Sequence, residues 1–221
     1  RQRVVAQLRN VSEELAQAVA DGLGMNLPEP LPKALARSPK AEIAKAPSLS
    51  LMARPGEEGI KTRRIALLVA DGVDSDALLA LHETLAEQGA VPRFVGIKLG
   101  TVQSASGEPI EAEISLETAP GVLWDACVIP DGEGAVSMLS ENGHALEFIK
   151  DQYRHCKSIL ALGAGSTLLE KASIPASLES GEADPGLLLF GADDVDGAAE
   201  AFIAAVSRHR HYERETDPPR V

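Results

Sequence analysis

The segment Leu160-Ala161-Leu162-Gly163-Ala164-Gly165-Ser166-Thr167 reads as a strand, a tight turn and a helix start. In many α/β enzymes the nucleophile sits in such a turn, where backbone strain exposes its side chain. Here the position holds Gly163, which adopts that conformation without strain and offers no nucleophile. Ser166, three residues on, is expected to cap the helix that follows. The amides of the turn could also hold an anion. However, Gly163-x-Gly165 lacks the third glycine of a dinucleotide fingerprint and the Gly-Lys-Ser/Thr of a P-loop, and Asp131 and Glu133 would repel phosphate. No nucleotide site is expected.

Other candidate groups are few. Cys127 lies in the apolar run Ala126–Ile129 and reads as a buried, inert thiol. Cys156 stands beside His155 and Lys157, where a cation could lower its pKa, but adjacent side chains point apart and a structural role is preferred. His82, His144, His155, His209 and His211 show no zinc-site spacing, and the last two read as a solvated helix end. The run Asp193–Gly197 resembles a calcium loop, but Ala192 and Ile203 occupy the would-be first and last ligand positions. Arg208-x-x-x-Tyr212 has the spacing of a catalase haem-ligand motif; with no distal His/Asn pair and only two tyrosines, it reads as chance.

The elements that would position these groups alternate. Ile65–Ala70 is a buried strand closed by Asp71-Gly72. Ser75–Gln88 is a helix, Val91–Val95 a strand, 97–116 a small hairpin and Asp125–Pro130 a core strand. Ala145–Tyr153 is a helix, Ser158–Leu162 a strand, and a helix begins at Ser166. Leu187–Phe190 is the last strand, and a closing helix runs from Asp196 to about His211. The expected fold is α/β: a flavodoxin-like, doubly wound, mostly parallel sheet. Such a sheet places a ligand site at its strands' carboxyl ends, here Asp71–Asp76, Asp131–Ala135 and Gly163–Thr167.

Ahead of this, Asn10 with Glu13 reads as a capping box, and Leu15, Val19 and Leu23 form one helix face that lacks a partner. Six of the fourteen prolines (Pro28, Pro30, Pro32, Pro39, Pro47 and Pro55) fall within 26–62, which reads as an extended linker with Leu49, Leu51 and Met52 as possible anchors. The expected boundaries are a helix in 1–25, a linker over 26–62, a domain over 63–211 and a loose tail over 212–221.

Net charge is −12 and the pI near 4.9, which argues against nucleic acid and anionic membranes as partners. Only 3% of residues are aromatic, so the core must be aliphatic. Two cysteines make no disulfide framework and fit a reduced cytoplasmic compartment. No run approaches the roughly 18 apolar residues of a membrane helix. The first residue is Arg1 and a basic amphipathic segment follows, as in a chain cut from a longer one.

Arg64–Val73, Val128–Gly132 and Ile159–Leu169 resemble the core segments of the PfpI-type branch of the class I glutamine amidotransferase-like superfamily, over about residues 63–210. In active members a cysteine stands where Gly163 stands, and a supporting acid where Ala77 stands. The resemblance therefore implies the fold without the hydrolase chemistry. Val11–Gly24, Pro47–Leu51 and Lys61–Arg64 extend the likeness, so the whole chain is similar to the end of large-subunit haem catalases. That resemblance makes residues 1–25 the last helix of the catalase helical region. It places the haem ligand and distal histidine upstream of Arg1 and implies a homotetramer.

On this reading the chain carries no catalytic, cofactor-binding or metal-binding residue. It would serve the stability and assembly of a protein that dismutates hydrogen peroxide with haem. Its partners would be the catalase core and sister subunits. The alternative is a stand-alone holding chaperone with unfolded clients; a thiol hydrolase using Cys156 is a remote third reading.

Overall fold

Strands without polar alternation must be covered on both faces, and three strands here are apolar and buried along nearly their whole length. The computed structural model describes residues 1–35, 43, 46, 59–216 and 219–221. Two units are distinguished, 1–56 and 57–221.

In the second unit β1 (Arg64–Val69), β2 (Val91–Gly96), β5 (Ile114–Ser115), β6 (Ala126–Ile129), β7 (Ser158–Leu162) and β8 (Leu187–Phe190) form one sheet. Its order is β5-β2-β1-β6-β7-β8, and every pairing is parallel. All residues of β6 and β7 are buried, as the central strands of a sheet covered on both faces require. The expected hairpin is present as β3 (Gly100–Gln103) and β4 (Pro109–Ala112), paired antiparallel outside the main sheet. The alternation that continues past it belongs to β5, which joins the main sheet's edge instead.

Five helices complete this unit: α3 (Ser75–Glu87), α4 (Glu133–Ser140), α5 (Gly143–Arg154), α6 (Ser166–Lys171) and α7 (Val195–Ser207). Side-chain carboxylates or amides begin three of them. Asp74 accepts from the Asp76 amide, Asn142 from Ala145 and Asp194 from Gly197. Asp194, taken from the run that resembles a calcium loop, is thus a helix cap. The core is aliphatic apart from Trp124, Phe148, Tyr153, Phe202 and the thiol of Cys127. The indole of Trp124 donates to the Ala119 carbonyl at 3.2 Å, which satisfies its one buried polar atom.

Three expectations need correction. α7 ends at Ser207 rather than near His211, and α4 was not anticipated. After α7, Tyr212–Arg214 forms a short 3-10 turn, and Arg214 is buried instead of belonging to a loose tail.

In the first unit the single expected helix is a pair, α1 (Gln2–Leu8) and α2 (Glu13–Gly22). The cap of α2 is Ser12, whose hydroxyl accepts from the Leu15 amide at 3.2 Å; Asn10 instead donates to the Leu31 carbonyl. The buried face of α2 is Ala16 and Ala20, with Val5 of α1 against them. Leu15 and Leu23 remain largely exposed. The proposed anchors Leu49, Leu51 and Met52 lie outside the described residues.

Candidate functional site

The strand order turns on β1 and β6, where the chain runs off in opposite directions on the two sides. Parallel α/β sheets bind ligands in the crevice at that point. The structure brings the three expected segments together there. The Asp74 amide donates to the Asp131 carbonyl at 3.0 Å. The Asp131 carboxylate accepts from the Gly132 amide at 2.7 Å and the Ala164 amide at 2.8 Å.

These contacts tie the three loops to one another. Gly132 has φ +107°, and a Cβ there would collide with the Gly72 carbonyl oxygen, so the two loops touch backbone to backbone. Gly163 has φ +46°, the left-handed conformation of an elbow. A Cβ at 163 would collide with both carboxylate oxygens of Asp131. The carboxylate therefore occupies the space in which a nucleophile's side chain would begin, and it takes up an elbow amide that could otherwise face a developing oxyanion. Ala77 is buried in the core on α3. Glu133 is exposed in the first turn of α4.

Ser166 does not cap α6. It is the first helical residue, and its hydroxyl donates to the Gly163 carbonyl at 3.0 Å; Thr167 donates likewise to Ala164. The cap position is Gly165, which has no side chain to offer.

A second polar group lies at the opposite, amino-terminal end of the sheet. Ser158 opens β7 and its hydroxyl meets His211 Nε2 at 2.9 Å. The His211 amide donates to the Cys156 carbonyl. Arg214 donates through Nε to Asp184 at 2.6 Å and through Nη1 to the Lys157 carbonyl at 2.5 Å. Both side chains of that ion pair are 1% exposed. The Arg214 guanidinium also lies over the Tyr153 ring at 4.8 Å. Lys157 Nζ donates to the carbonyls of Gly121 and Val122.

Burial dominates the ionisation of this group. It pulls His211 down to about 4, with the positive charge of Arg214 adding to the effect. It pulls Lys157 down to about 8. The expectation that His211 belongs to a solvated helix end is therefore wrong: the residue is fully buried beyond the helix. No spacing rule relates Ser158 to His211 or Asp184 to Arg214, because each pair is joined by tertiary folding alone.

Both thiols are buried and move away from reactivity. Burial pushes Cys127 up to about 12 and raises Cys156 as well, the nearby Glu215 adding to the latter. A raised pKa keeps a thiol protonated, which disfavours nucleophilic attack by Cys156.

The described residues do not fit a haem. Arg208 and Tyr212 do not share a helix, since α7 ends between them, and Arg208 pairs with Glu213 at 2.6 Å. Tyr153 is buried beneath Arg214. No group of three His, Cys, Asp or Glu side chains is placed to hold a metal ion among the described residues. No described helix is long and apolar enough to cross a membrane.

Comparison with known proteins agrees with this architecture. Residues 61–216 match the family described as the C-terminal domain found in long catalases. Catalase HPII of Pseudomonas putida is 36% identical over 94% of this chain and 27% of its own length. Catalase HPII of Mycobacterium avium is 37% identical over 98% of this chain and 31% of its own length. The chain thus spans under a third of the length of either relative. Among solved structures, a ThiJ/PfpI domain protein from Brachyspira murdochii aligns over 66% of this chain and 97% of its own, with TM-score 0.59 and 16% identity. The chain belongs to the family of C-terminal domains of long catalases, built on a DJ-1/ThiJ/PfpI-like α/β fold.

Proposed function

We propose that this chain is a non-catalytic C-terminal segment of a haem catalase and contributes to the stability and assembly of that enzyme. The observation that carries the reading is the Asp131 carboxylate seated against Gly163. In this family of folds the chemistry of the elbow needs a side chain at that position and free amides beside it. Here there is no side chain, and the carboxylate already bonds the Ala164 amide. A domain retained with its elbow closed has its use elsewhere, in the surfaces it presents.

On this reading residues 1–25 end the helical region of the catalase, 26–62 form the connection and 63–211 the flavodoxin-like domain. The haem, its ligands and peroxide dismutation belong to the rest of the polypeptide, in a cytoplasmic homotetramer. The 221-residue chain incubated with haem is then expected to show no peroxide turnover above free haem. Turnover well above that background, lost on substitution of Tyr153 or Tyr212, would overturn the proposal.

The holding-chaperone reading draws on Val4 and Val11, which are 62% and 75% exposed on the first unit. It is tested by client aggregation with the full chain against residues 63–221. Equal aggregation with either protein or with none would remove it.

A further inference from the structure

The main sheet has two edges, and they differ. β5, at one edge, is two residues long, and brevity is a common guard against pairing with other chains. β8, at the other, is Leu187-Leu188-Leu189-Phe190, with no charged residue or proline to guard it. Among the described residues no strand lies beyond it. Its register against β7 fixes which main-chain groups face outward. The Gly186 carbonyl accepts from the Ile159 amide at 2.8 Å, and a parallel strand presents its groups to one neighbour at every second residue. Gly186, Leu188 and Phe190 therefore face β7, while Leu187 and Leu189 face away. The Leu187 amide turns back to the Asp184 carbonyl. The Leu187 carbonyl and both main-chain groups of Leu189 are left open, beside a Leu189 side chain that is 58% exposed.

The segments at the two ends of β8 carry one sign of charge. No lysine or arginine occurs between Lys171 and Arg208. Exposed carboxylates stand before the strand at Glu179 and Glu182, and after it at Asp193, Asp194 and Asp196. None of these five forms an ion pair with a described residue. Asp184, nearer the strand, is buried and neutralised by Arg214. Arg220 reaches the first segment, where it donates to the Ser177 carbonyl at 2.8 Å, so the excess of negative charge is larger after the strand than before it.

We infer that the β8 edge docks an extended segment of another polypeptide, apolar at its centre and basic at its ends, which adds to the six-stranded sheet as a further strand. Main-chain hydrogen bonds and contact with Leu189 supply affinity, and the flanking carboxylates select the charge of the partner. The same carboxylates disfavour a second copy of this chain, because pairing two β8 edges would set acidic segment against acidic segment.

Fluorescence anisotropy of the 221-residue chain with a labelled peptide, alternating valine and threonine with a pair of lysines at each end, tests this. Saturable binding is expected, weaker at high salt and weaker by about tenfold or more when glutamates replace the lysines. Leu189→Pro removes the outward amide without removing a bond to β7, and Leu189→Lys keeps that amide but sets a like charge before the peptide. Each is expected to weaken binding about tenfold. Asp193→Asn with Asp196→Asn, both exposed, is expected to weaken it about threefold. Melting temperatures keep folding defects apart from binding defects. Absence of saturable binding would overturn the inference, as would equal affinity for the glutamate-flanked peptide or unchanged affinity in both Leu189 variants. Dimerisation of the chain that Leu189→Lys abolishes would overturn it as well, by assigning the edge to a second copy.

Discussion

The two ends of the central sheet are built on opposite principles. At the carboxyl end glycine loops touch backbone to backbone, and one carboxylate bonds backbone amides of two loops. At the amino end, ionic and polar side chains are buried and joined over long sequence distances: Asp184 with Arg214, Ser158 with His211. The first arrangement ties three loops together through main-chain groups and one carboxylate. The second holds the chain after α7 against the start of β7 and the loop before β8. Buried charge marks an active site only when it faces a crevice; here the greater concentration of it serves attachment.

Breaking the buried ion pair should have the largest effect. Asp184→Ala leaves Arg214 charged without its partner in the interior, at a cost of about 3–5 kcal/mol in urea denaturation. Replacing both members by apolar residues, Asp184→Leu with Arg214→Met, should be much less damaging. A loss below about 1 kcal/mol for Asp184→Ala would show that the pair is not a structural anchor.

Acid should weaken the same end next. His211 titrates near 4 in the folded chain and near 6.5 when unfolded. Between those values the unfolded chain binds a proton that the folded chain does not, so stability rises with pH across the window. The contribution is complete above about 6.5 and lost as pH falls towards 4, up to about 3 kcal/mol. Stability curves at pH 7, 5.5 and 4 read the slope, and His211→Asn should flatten it. An unchanged slope in that variant would assign the acid sensitivity to other groups.

The carboxyl end is tested by Gly163→Cys. The left-handed backbone and the collision with Asp131 predict a loss of about 2 kcal/mol. Combined with Asp131→Ala, the loss should be smaller than the sum of the two single losses, because removing the carboxylate frees the space. Simple additivity would mean that Asp131 does not occupy the nucleophile's place. The smallest effect is expected for Ser166→Ala, whose hydroxyl only donates to a neighbouring carbonyl, at about 0.5–1 kcal/mol.

Sequence was most legible where physical causes were local. The limits of β7 and β8 follow from uninterrupted apolar runs, and the left-handed turn after β7 from the glycine at 163. α4 was hidden because it has only eight residues and begins between Gly132 and Gly134. In α2 the large residues share one stripe, yet the packed face uses Ala16 and Ala20 beside Val5. Periodicity shows that a face exists; which of two adjacent stripes packs depends on the neighbour. The resemblance to catalases supplied the parentage, which composition alone could not. The amino-end group was illegible for a different reason. Asp184 and Arg214 are thirty residues apart in sequence and meet only when the chain after α7 returns to the sheet.

The most direct measurement is made on the intact catalase, with and without residues 61–216. Peroxide turnover per haem and the temperature of half-inactivation are measured on the same preparations. The account predicts turnover per haem that is little changed and a clear fall in the inactivation temperature or in the fraction of assembled oligomer. An unaltered inactivation temperature and assembly would contradict it, as would loss of turnover from an enzyme that keeps its haem and its oligomeric state.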